Sequence, residues 1–562
     1  MRNVMPIIEW LPAYQRSWLP GDLIAGATVW AVLVPLGLAY AGIAGVNPIV
    51  GLYTLPMALL AYAVFGGSRL LTIGPDAAVA VLSGSVVASY ALGDEVLAMT
   101  IAMALIVGVI YVLFFFLKLG WIADLLPDPV LKGFIEGVVW VTILKQLPAL
   151  LGIELASTAK GFVPQVIAVA KALPQVHVPT AVAGVGSVIA LLLIRRFAPR
   201  LPGPLIVLVV SIALIGLLGL DQAGVAVLGQ VSGGLAGIGL PSGLDSRQII
   251  SLLPGALAIV VLGYTKSMGA LKRAAEHSGE QIDPDRELLA IGVSNIGAGL
   301  GGGYAVAGSL TATAVGIDSG GKTQISNLFA GILSLLTVLL LLPLFANLPY
   351  FCLAAIVVVA IAGLSDIGYF RNLWKIQRYE VAIGAMTFAG VLALDVSTGV
   401  MVGVVMALFT LAHQIHDPTT AVVGRTPSGG FVDIDDHPEA EEIPGMLIWH
   451  QYAPLVFLNA RILSNKLRRI VSGRKDLRVV LIDATASSGI DTSAVSAFIA
   501  ASNDLAAEGI ALWVSNVRDD SWKLIVAAMT AAGDEIPRSF DSVTDAVEHF
   551  ERYGTDATGV SD

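Results

Sequence analysis

Apolar residues run almost without a break from Gly21 to about His413, interrupted only by short clusters of glycine, proline and charge. After His416 the pattern changes. An acidic stretch, DIDDHPEAEE at 433–442, leads into alternating apolar runs and amphipathic segments. A helix needs about 20 apolar residues to cross a bilayer, fewer where it is broken. Cut at its punctuation, the first region predicts spans at 21–41, 46–66, 74–92, 96–117, 129–152, 178–194, 204–220, 252–270, 287–301, 307–318, 326–346, 351–366, 380–395 and 397–414. The later region predicts strands at 445–451, 454–458, 477–484 and 509–517. Helices are expected at 459–471 and from Thr492 to about Glu508, the second capped by Asp491, with two more to follow. The chain thus divides into an N-terminal segment (1–20), a membrane domain (21–415), a linker (416–443), a soluble α/β domain (444–555) and a tail (556–562).

Orientation follows from the basic loops. With fourteen spans and the N-terminus inside, cytoplasmic loops hold Arg69, Lys118, Arg195, Arg196, Arg200, Lys272, Arg273, Arg286, Lys322, Arg371, Lys375 and Arg378. The opposite loops hold Lys160, Lys171 and Arg247, with Lys145 near a span end. This bias places both termini in the cytoplasm and the chain in the cytoplasmic membrane. Composition agrees: 56% of residues are hydrophobic, 13% are charged, and mean hydropathy is +0.81. Sixty glycines suit helices that pack backbone to backbone. The first eighteen residues lack the apolar core and small-residue cleavage site of a signal peptide. A single cysteine, Cys352, excludes an intrachain disulfide and a Cys-rich metal site. A net charge of −10 argues against nucleic acid as a partner.

Two segments are too short and glycine-rich for ordinary spans: IGPDAAVAVLSG (73–84) and GGGYAVAGSLTATAVGIDSGG (301–321). Such interrupted segments mark transporter sites built from broken helices. A helix starting inside the membrane presents unpaired amides and a positive dipole end, and backbone left unsatisfied there is expensive. Two such ends would bind an anion through backbone, with Ala77, Gly308 and Ser309 at the helix starts. The competing reading is two short helices packed in loops.

GDLIAGATVWAVLVPLGLAYAGIAGVNPIVGLYT (21–54), LLTIGPDAA (70–78), IDPDRELLAIGVSNIGAGLGGG (282–303) and SGGKTQISNL (319–328) resemble, in order and spacing, the signatures of the SulP anion permeases. PLVFLNARIL and LIDATASSGIDTSA resemble the STAS domain appended in that family. The resemblance implies a polytopic α-helical protein of 14 spans, two inverted 7-span repeats forming core and gate domains, with a soluble STAS domain. It also implies a homodimer and an anion held between the starts of spans three and ten. By motif position the lining residues are Leu36, Tyr40, Asp76, Leu310, Thr311 and Ala312.

The chain departs from the family pattern in three places. Leu36 follows Pro35 where a polar Gln is usual. Ser309-Leu310-Thr311-Ala312 lacks the usual Arg. Lys266 stands on the eighth span where the family carries an acid implicated in ion coupling. A lysine at mid-bilayer costs about 3 kcal/mol. Either it snorkels towards cytoplasmic water beside Lys272, or it replaces the missing Arg, with Asp76 as counter-charge or proton carrier. Asp76 near a helix start is also favoured by the dipole alone. Lys132 and Glu136 are spaced for an ion pair within one helix.

The function expected is secondary active transport of a small anion such as sulfate, bicarbonate, chloride or a dicarboxylate. It would need no cofactor beyond a coupling H+ or Na+, and the STAS domain would offer a surface to a cytoplasmic regulatory partner. A channel-like conductor would use the same fold. A membrane-embedded enzyme would need paired catalytic groups within the spans, and none is spaced for it. A nucleobase permease would not explain the C-terminal domain.

Overall fold

The computed structural model describes residues 5–91, 93, 95–125, 127–155, 161–199, 201–229, 239–241, 243–394, 396–487 and 489–555. Lys160, Arg200 and the tail 556–562 lie outside them. Two compact units divide at Ala407/Leu408.

The first unit is helical. Its main helices are α1 (Leu19–Ile43), α2 (Val50–Phe65), α3 (Ala77–Tyr90), α4 (Glu95–Phe116), α5 (Asp128–Leu151), α6 (Phe162–Ala172), α7 (Val178–Phe197) and α8 (Gly203–Leu218). They continue with α9 (Ser246–Ser278), α10 (Pro284–Leu300), α11 (Leu310–Asp318), α12 (Ile325–Leu336), α13 (Tyr350–Ala362), α14 (Ile367–Ile376), α15 (Arg378–Ala393) and α16 (Val396–His416). Every expected span falls on a helix. The short α6 and α14 were not expected, because their apolar residues occupy one face only. Among the described residues, seven helical stretches are long and apolar enough to cross a membrane. Small residues set the packing: a Cβ on Gly51 would lie 1.9 Å from the Gly37 carbonyl oxygen, so α1 and α2 touch through backbone.

Buried acids tie loops to helix ends. Asp22, fully buried in the first turn of α1, accepts from the Lys322 amide (2.7 Å) and from the Thr323 amide and hydroxyl (3.0 and 2.7 Å). The expected Lys132–Glu136 pair does not form. Lys132 Nζ reaches Asp366 at 2.8 Å, and Glu136 accepts from the Asp366 amide at 2.6 Å and from the Ser365 hydroxyl at 2.9 Å. The loop entering α14 offers a carboxylate to Lys132 and donors to Glu136, and an amide left unsatisfied there would cost more than a weak i,i+4 pair returns.

In the second unit, strands β3 (Thr420–Arg425), β4 (Phe431–Asp433), β5 (Met446–Gln451), β6 (Val479–Asp483), β7 (Ala511–Ser515) and β8 (Arg538–Phe540) form one sheet ordered β4-β3-β5-β6-β7-β8. From β5 to β8 the pairing is parallel, and β3 joins β5 antiparallel. Helices α17 (Ala460–Val471), α18 (Thr492–Ala507), α19 (Asp519–Ala532) and α20 (Val543–Tyr553) cover the sheet. Asp491 caps α18 as expected, accepting from the Ala494 amide at 2.8 Å. Two expectations fail. Residues 454–458 are not a strand: only Leu455 bridges to Ile490, because Asn459 and Asp491 hold the Val456 and Phe457 amides. The stretch taken for a linker supplies β3 and β4, and Arg425 bonds Glu551 on α20 at 2.8 Å. Its alternation TAVVGR was masked by the acidic run that follows.

Asp483, at the end of β6, is largely buried. Burial alone would raise its carboxyl, but hydrogen bonds from His450, Thr485 and Asn516 outweigh this and hold it at about 2. A fragment of residues 417–555 should therefore unfold cooperatively in urea, and one starting at Pro444 should lose that cooperativity with β3 and β4. Because the folded value is depressed, the stability from Asp483 is complete above 3.8 and is lost as pH falls towards about 2. Acid titration followed by circular dichroism should show that loss in the 417–555 fragment and its absence in Asp483→Asn.

Candidate functional site

The two short segments singled out by their glycines meet. Ile73–Gly74 (β1) and Ala307–Gly308 (β2) form a two-stranded antiparallel ribbon, with Ile73 opposite Gly308 and Gly74 opposite Ala307. Each strand runs into a helix, β1 into α3 and β2 into α11, so both helices start beside one ribbon and leave it in opposite directions. Thr72 extends the ribbon: its carbonyl accepts from the Ser309 amide at 2.8 Å, and its amide donates to Thr313 Oγ1 at 3.0 Å. Ser267 on α9 accepts from the Gly308 amide at 2.7 Å. A Cβ at position 308 would lie 2.9 Å from the Ser267 Cα, which fixes glycine there.

Asp76 is the N-cap of α3 rather than its second residue, with Pro75 outside the helix. Its extended backbone lets Oδ1 accept from the Ala78 and Val79 amides at 3.0 and 3.1 Å. Oδ2 accepts from Lys266 Nζ at 2.5 Å. The two side chains are 14% and 15% exposed, so this charge pair sits almost wholly inside the protein. The helix that carries Lys266, α9, packs against α3, β2 and α11 together, and this brings its lysine to the meeting point.

The expected site residues separate into two groups. Gly308, Ser309 and Ala312 do not offer free amides, a correction to their expected contact role. The Gly308 amide goes to Ser267 and the Ser309 amide to Thr72, while Ser309 Oγ accepts from the Ala312 amide at 3.2 Å. Leu310 and Thr311, by contrast, are exposed, and among the described residues their amides, like that of Ala77, have no hydrogen-bond partner. Leu36 and Tyr40 are buried at 6% and 7% on α1, one turn apart, and α1 packs on both α3 and α11. Thr72, Thr313 and Asn327, which hold the ribbon, were not among the expected site residues, although all three lie within the segments that marked the site. Ser267 had one signal only, its place next to Lys266.

The arrangement can hold negative charge. Each helix start carries about half a positive charge. Adding Lys266 and subtracting Asp76 leaves roughly one unit of positive charge, with amides of Ala77, Leu310 and Thr311 available to donate. Among the described residues no group of His, Cys, Asp and Glu is placed to hold a metal ion.

Half-length helices meeting at a buried charge pair in a helical membrane bundle define a transport protein of the broken-helix class. Residues 19–387 match the Sulfate permease family and residues 437–546 the STAS domain. The chain belongs to the sulfate permease family and is an anion transporter with a C-terminal STAS domain. It is 32% identical over 545 residues to the probable sulfate transporter Rv1739c of Mycobacterium tuberculosis, covering 96% of each chain. It is 30% identical over 493 residues to human solute carrier family 26 member 6, covering 83% of this chain and 64% of the relative. The fold matches murine Slc26a9, an anion transporter in its inward-facing state, with TM-score 0.90 at 21% identity, covering 98% and 94% of the two chains. It also matches the transmembrane domain of the cyanobacterial bicarbonate transporter BicA, with TM-score 0.60 at 24% identity, covering 70% and 98%.

Breaking a buried charge pair by removing one partner leaves the other uncompensated, at a cost of about 3–5 kcal/mol. Lys266→Met should therefore lower the melting temperature in detergent markedly. The double variant Lys266→Met with Asp76→Asn should recover most of the loss. Equal melting temperatures for single and double variants would show that the pair is not formed.

Proposed function

We propose that the protein carries a small inorganic anion, sulfate first, across the cytoplasmic membrane by alternating access. The carrying observation is the Lys266–Asp76 pair set between two helix starts, with the unpartnered Leu310 and Thr311 amides beside it. The anion lies between α3 and α11, its charge balanced by Lys266 and the two dipoles, with Tyr40 and Thr311 adding side-chain contacts. The fourteen spans form two inverted seven-span repeats that move as core and gate domains. The protein works as a homodimer with both termini in the cytoplasm, and the STAS domain meets a regulatory partner there. The relatives named as sulfate transporters support the substrate, while the likeness to the bicarbonate transporter BicA keeps bicarbonate in contention.

Charge arithmetic supports coupling. A site with roughly one positive charge balances a monovalent anion, whereas sulfate brings one more negative charge than the site supplies. Sulfate transport would then draw in a cation, H+ or Na+. A channel-like conductor needs no such balance and would show linear current in place of saturable uptake.

At an effective dielectric near 20, unit charges about 4 Å apart interact by about 4 kcal/mol. Removing Lys266 should thus weaken anion affinity at least tenfold. Comparing the double variant Lys266→Met/Asp76→Asn with Asp76→Asn, which keeps the lysine, isolates this loss. Lys266→Glu should be worse than either. Uptake of labelled sulfate, bicarbonate, chloride and succinate into proteoliposomes, with and without pH or sodium gradients, is the test. Unchanged affinity without Lys266 would leave the helix dipoles alone to hold the anion, and ohmic currents without counterflow would favour the channel.

A further inference from the structure

Among the buried acids, Glu287 shares with Asp22 and Glu136 a shell of neutral donors, in contrast to the Lys266-paired Asp76, and it also lines a cleft. It lies in the first turn of α10 and is 2% exposed. Its Oε2 accepts from the Tyr62 hydroxyl at 2.8 Å and its Oε1 from the Gly67 amide at 3.0 Å, and among the described residues no cation pairs with it. The nearest basic groups are engaged elsewhere: Arg69 with Glu280 at 2.9 Å and Arg286 with Asp283 at 3.3 Å. Asp285 turns to the Gly120 amide, Tyr264 of α9 to the Pro284 carbonyl and Tyr111 of α4 to the Val260 carbonyl. From α9, only Leu271 and Ala275 line the same cleft. Glu287 therefore faces neutral donors, with the acids Asp283 and Glu280 nearby.

Two further features give this carboxyl a way to exchange a proton and a structure to act upon. It lines a partly open cleft of about 50 Å3, together with Gly67, Ser68, Glu280, Asp283 and Arg286, which is large enough to hold water. The amide it grips begins the loop that becomes the ribbon. Beyond Gly67, the Ser68 hydroxyl accepts from the Leu70 and Leu71 amides, and Gln324 donates to the Ser68 and Leu71 carbonyls. Asn327 then donates to the Leu71 carbonyl and accepts from the Thr72 hydroxyl. Glu287 is thus linked to Thr72 through the backbone of the 67–72 loop and the hydrogen bonds that fix it, and Thr72 holds α11 through Ser309 and Thr313. A Cβ on Gly67 would lie 2.6 Å from Glu287 Oε1, so there is no slack at the grip.

We propose that Glu287 is the proton-carrying group of the transport cycle, distinct from the Lys266–Asp76 pair; this rests on the transporter reading given above. A proton from water in the cleft binds the carboxylate, giving a neutral acid, and the Tyr62 hydroxyl rotates from donor to acceptor for the new O–H. The grip on Gly67 weakens from a charge-assisted bond to a neutral one, which loosens the loop leading to β1. Deprotonation restores it.

The test uses the full-length protein in proteoliposomes and labelled sulfate. Wild-type sulfate transport should rise severalfold as the pH falls on the cytoplasmic side, which the cleft faces by the bias of the basic loops. Glu287→Gln keeps an acceptor for both donors, so it should fold and support sulfate counterflow with a flat pH profile. Tyr62→Phe removes a donor to the charged form and should move the pH midpoint upward. Infrared difference spectra on acidification should show a protonated-carboxyl band that Glu287→Gln lacks. A wild-type pH profile or an unchanged carboxyl band in Glu287→Gln would overturn the proposal, as would pH-insensitive wild-type uptake. Wild type with neither uptake nor counterflow would instead overturn the transporter reading itself.

Discussion

A helix that begins in the middle of an apolar bundle leaves backbone amides with no water to meet them, and the surroundings of the site answer to that constraint. The ribbon of β1 and β2 satisfies the strands before the helices, and Asp76 and Ser309 satisfy part of each helix start. What remains unpaired among the described residues, at Ala77, Leu310 and Thr311, is a small set of donors at the two helix starts. Anion binding is then the residue of an incomplete hydrogen-bond account. Had Asp76 and Ser309 been joined by caps for the remaining amides, the same fold would have no reason to attract a charge.

Lys266 completes this logic. A lone ammonium here would have to shed its charge or reach water, and a lone Asp76 carboxylate would cancel the dipole end it caps. Together they form an internal pair at 2.5 Å whose net charge is zero, leaving the two helix ends as the source of attraction. The lysine still matters for the anion because its three hydrogens can serve Asp76 and a ligand at once. An arginine on the tenth span, usual in the family, would approach from α11 instead. Moving the cation to α9 ties the site to the helix that also pins Gly308 through Ser267, so position and charge come from one turn of one helix.

The bundle was legible because its signals are long: apolar runs, glycine punctuation and the bias of basic loops survive errors of a few residues. Both broken helices could be seen, since their shortness is itself a periodicity defect. The side-chain pairings were less visible. Lys132 and Glu136 matched a helix spacing, yet each found a stronger partner in the loop before α14, 230 residues away. The edge strands β3 and β4 hid behind an acidic stretch because a strand of three to six residues carries little pattern of its own. Glu287 sat in plain sight within a motif, and nothing in the sequence could report that its partners would be a tyrosine hydroxyl and backbone amides.

The loop from Gly67 to Thr72 is where these separate facts join. It is held at one end by a carboxylate, in the middle by the amides of Gln324 and Asn327, and at the other end by α11. A segment gripped at so many points moves as a body or stays put, since loosening one bond leaves others to carry the strain. On the proposal, a change at Glu287 would therefore be felt at the ribbon through the whole loop rather than at one bond. An anion bound at both helix starts would, on the proposed mechanism, sense any shift of one start against the other, and linkage would make the influence mutual: what loosens the ribbon for the proton would also alter the grip on the anion.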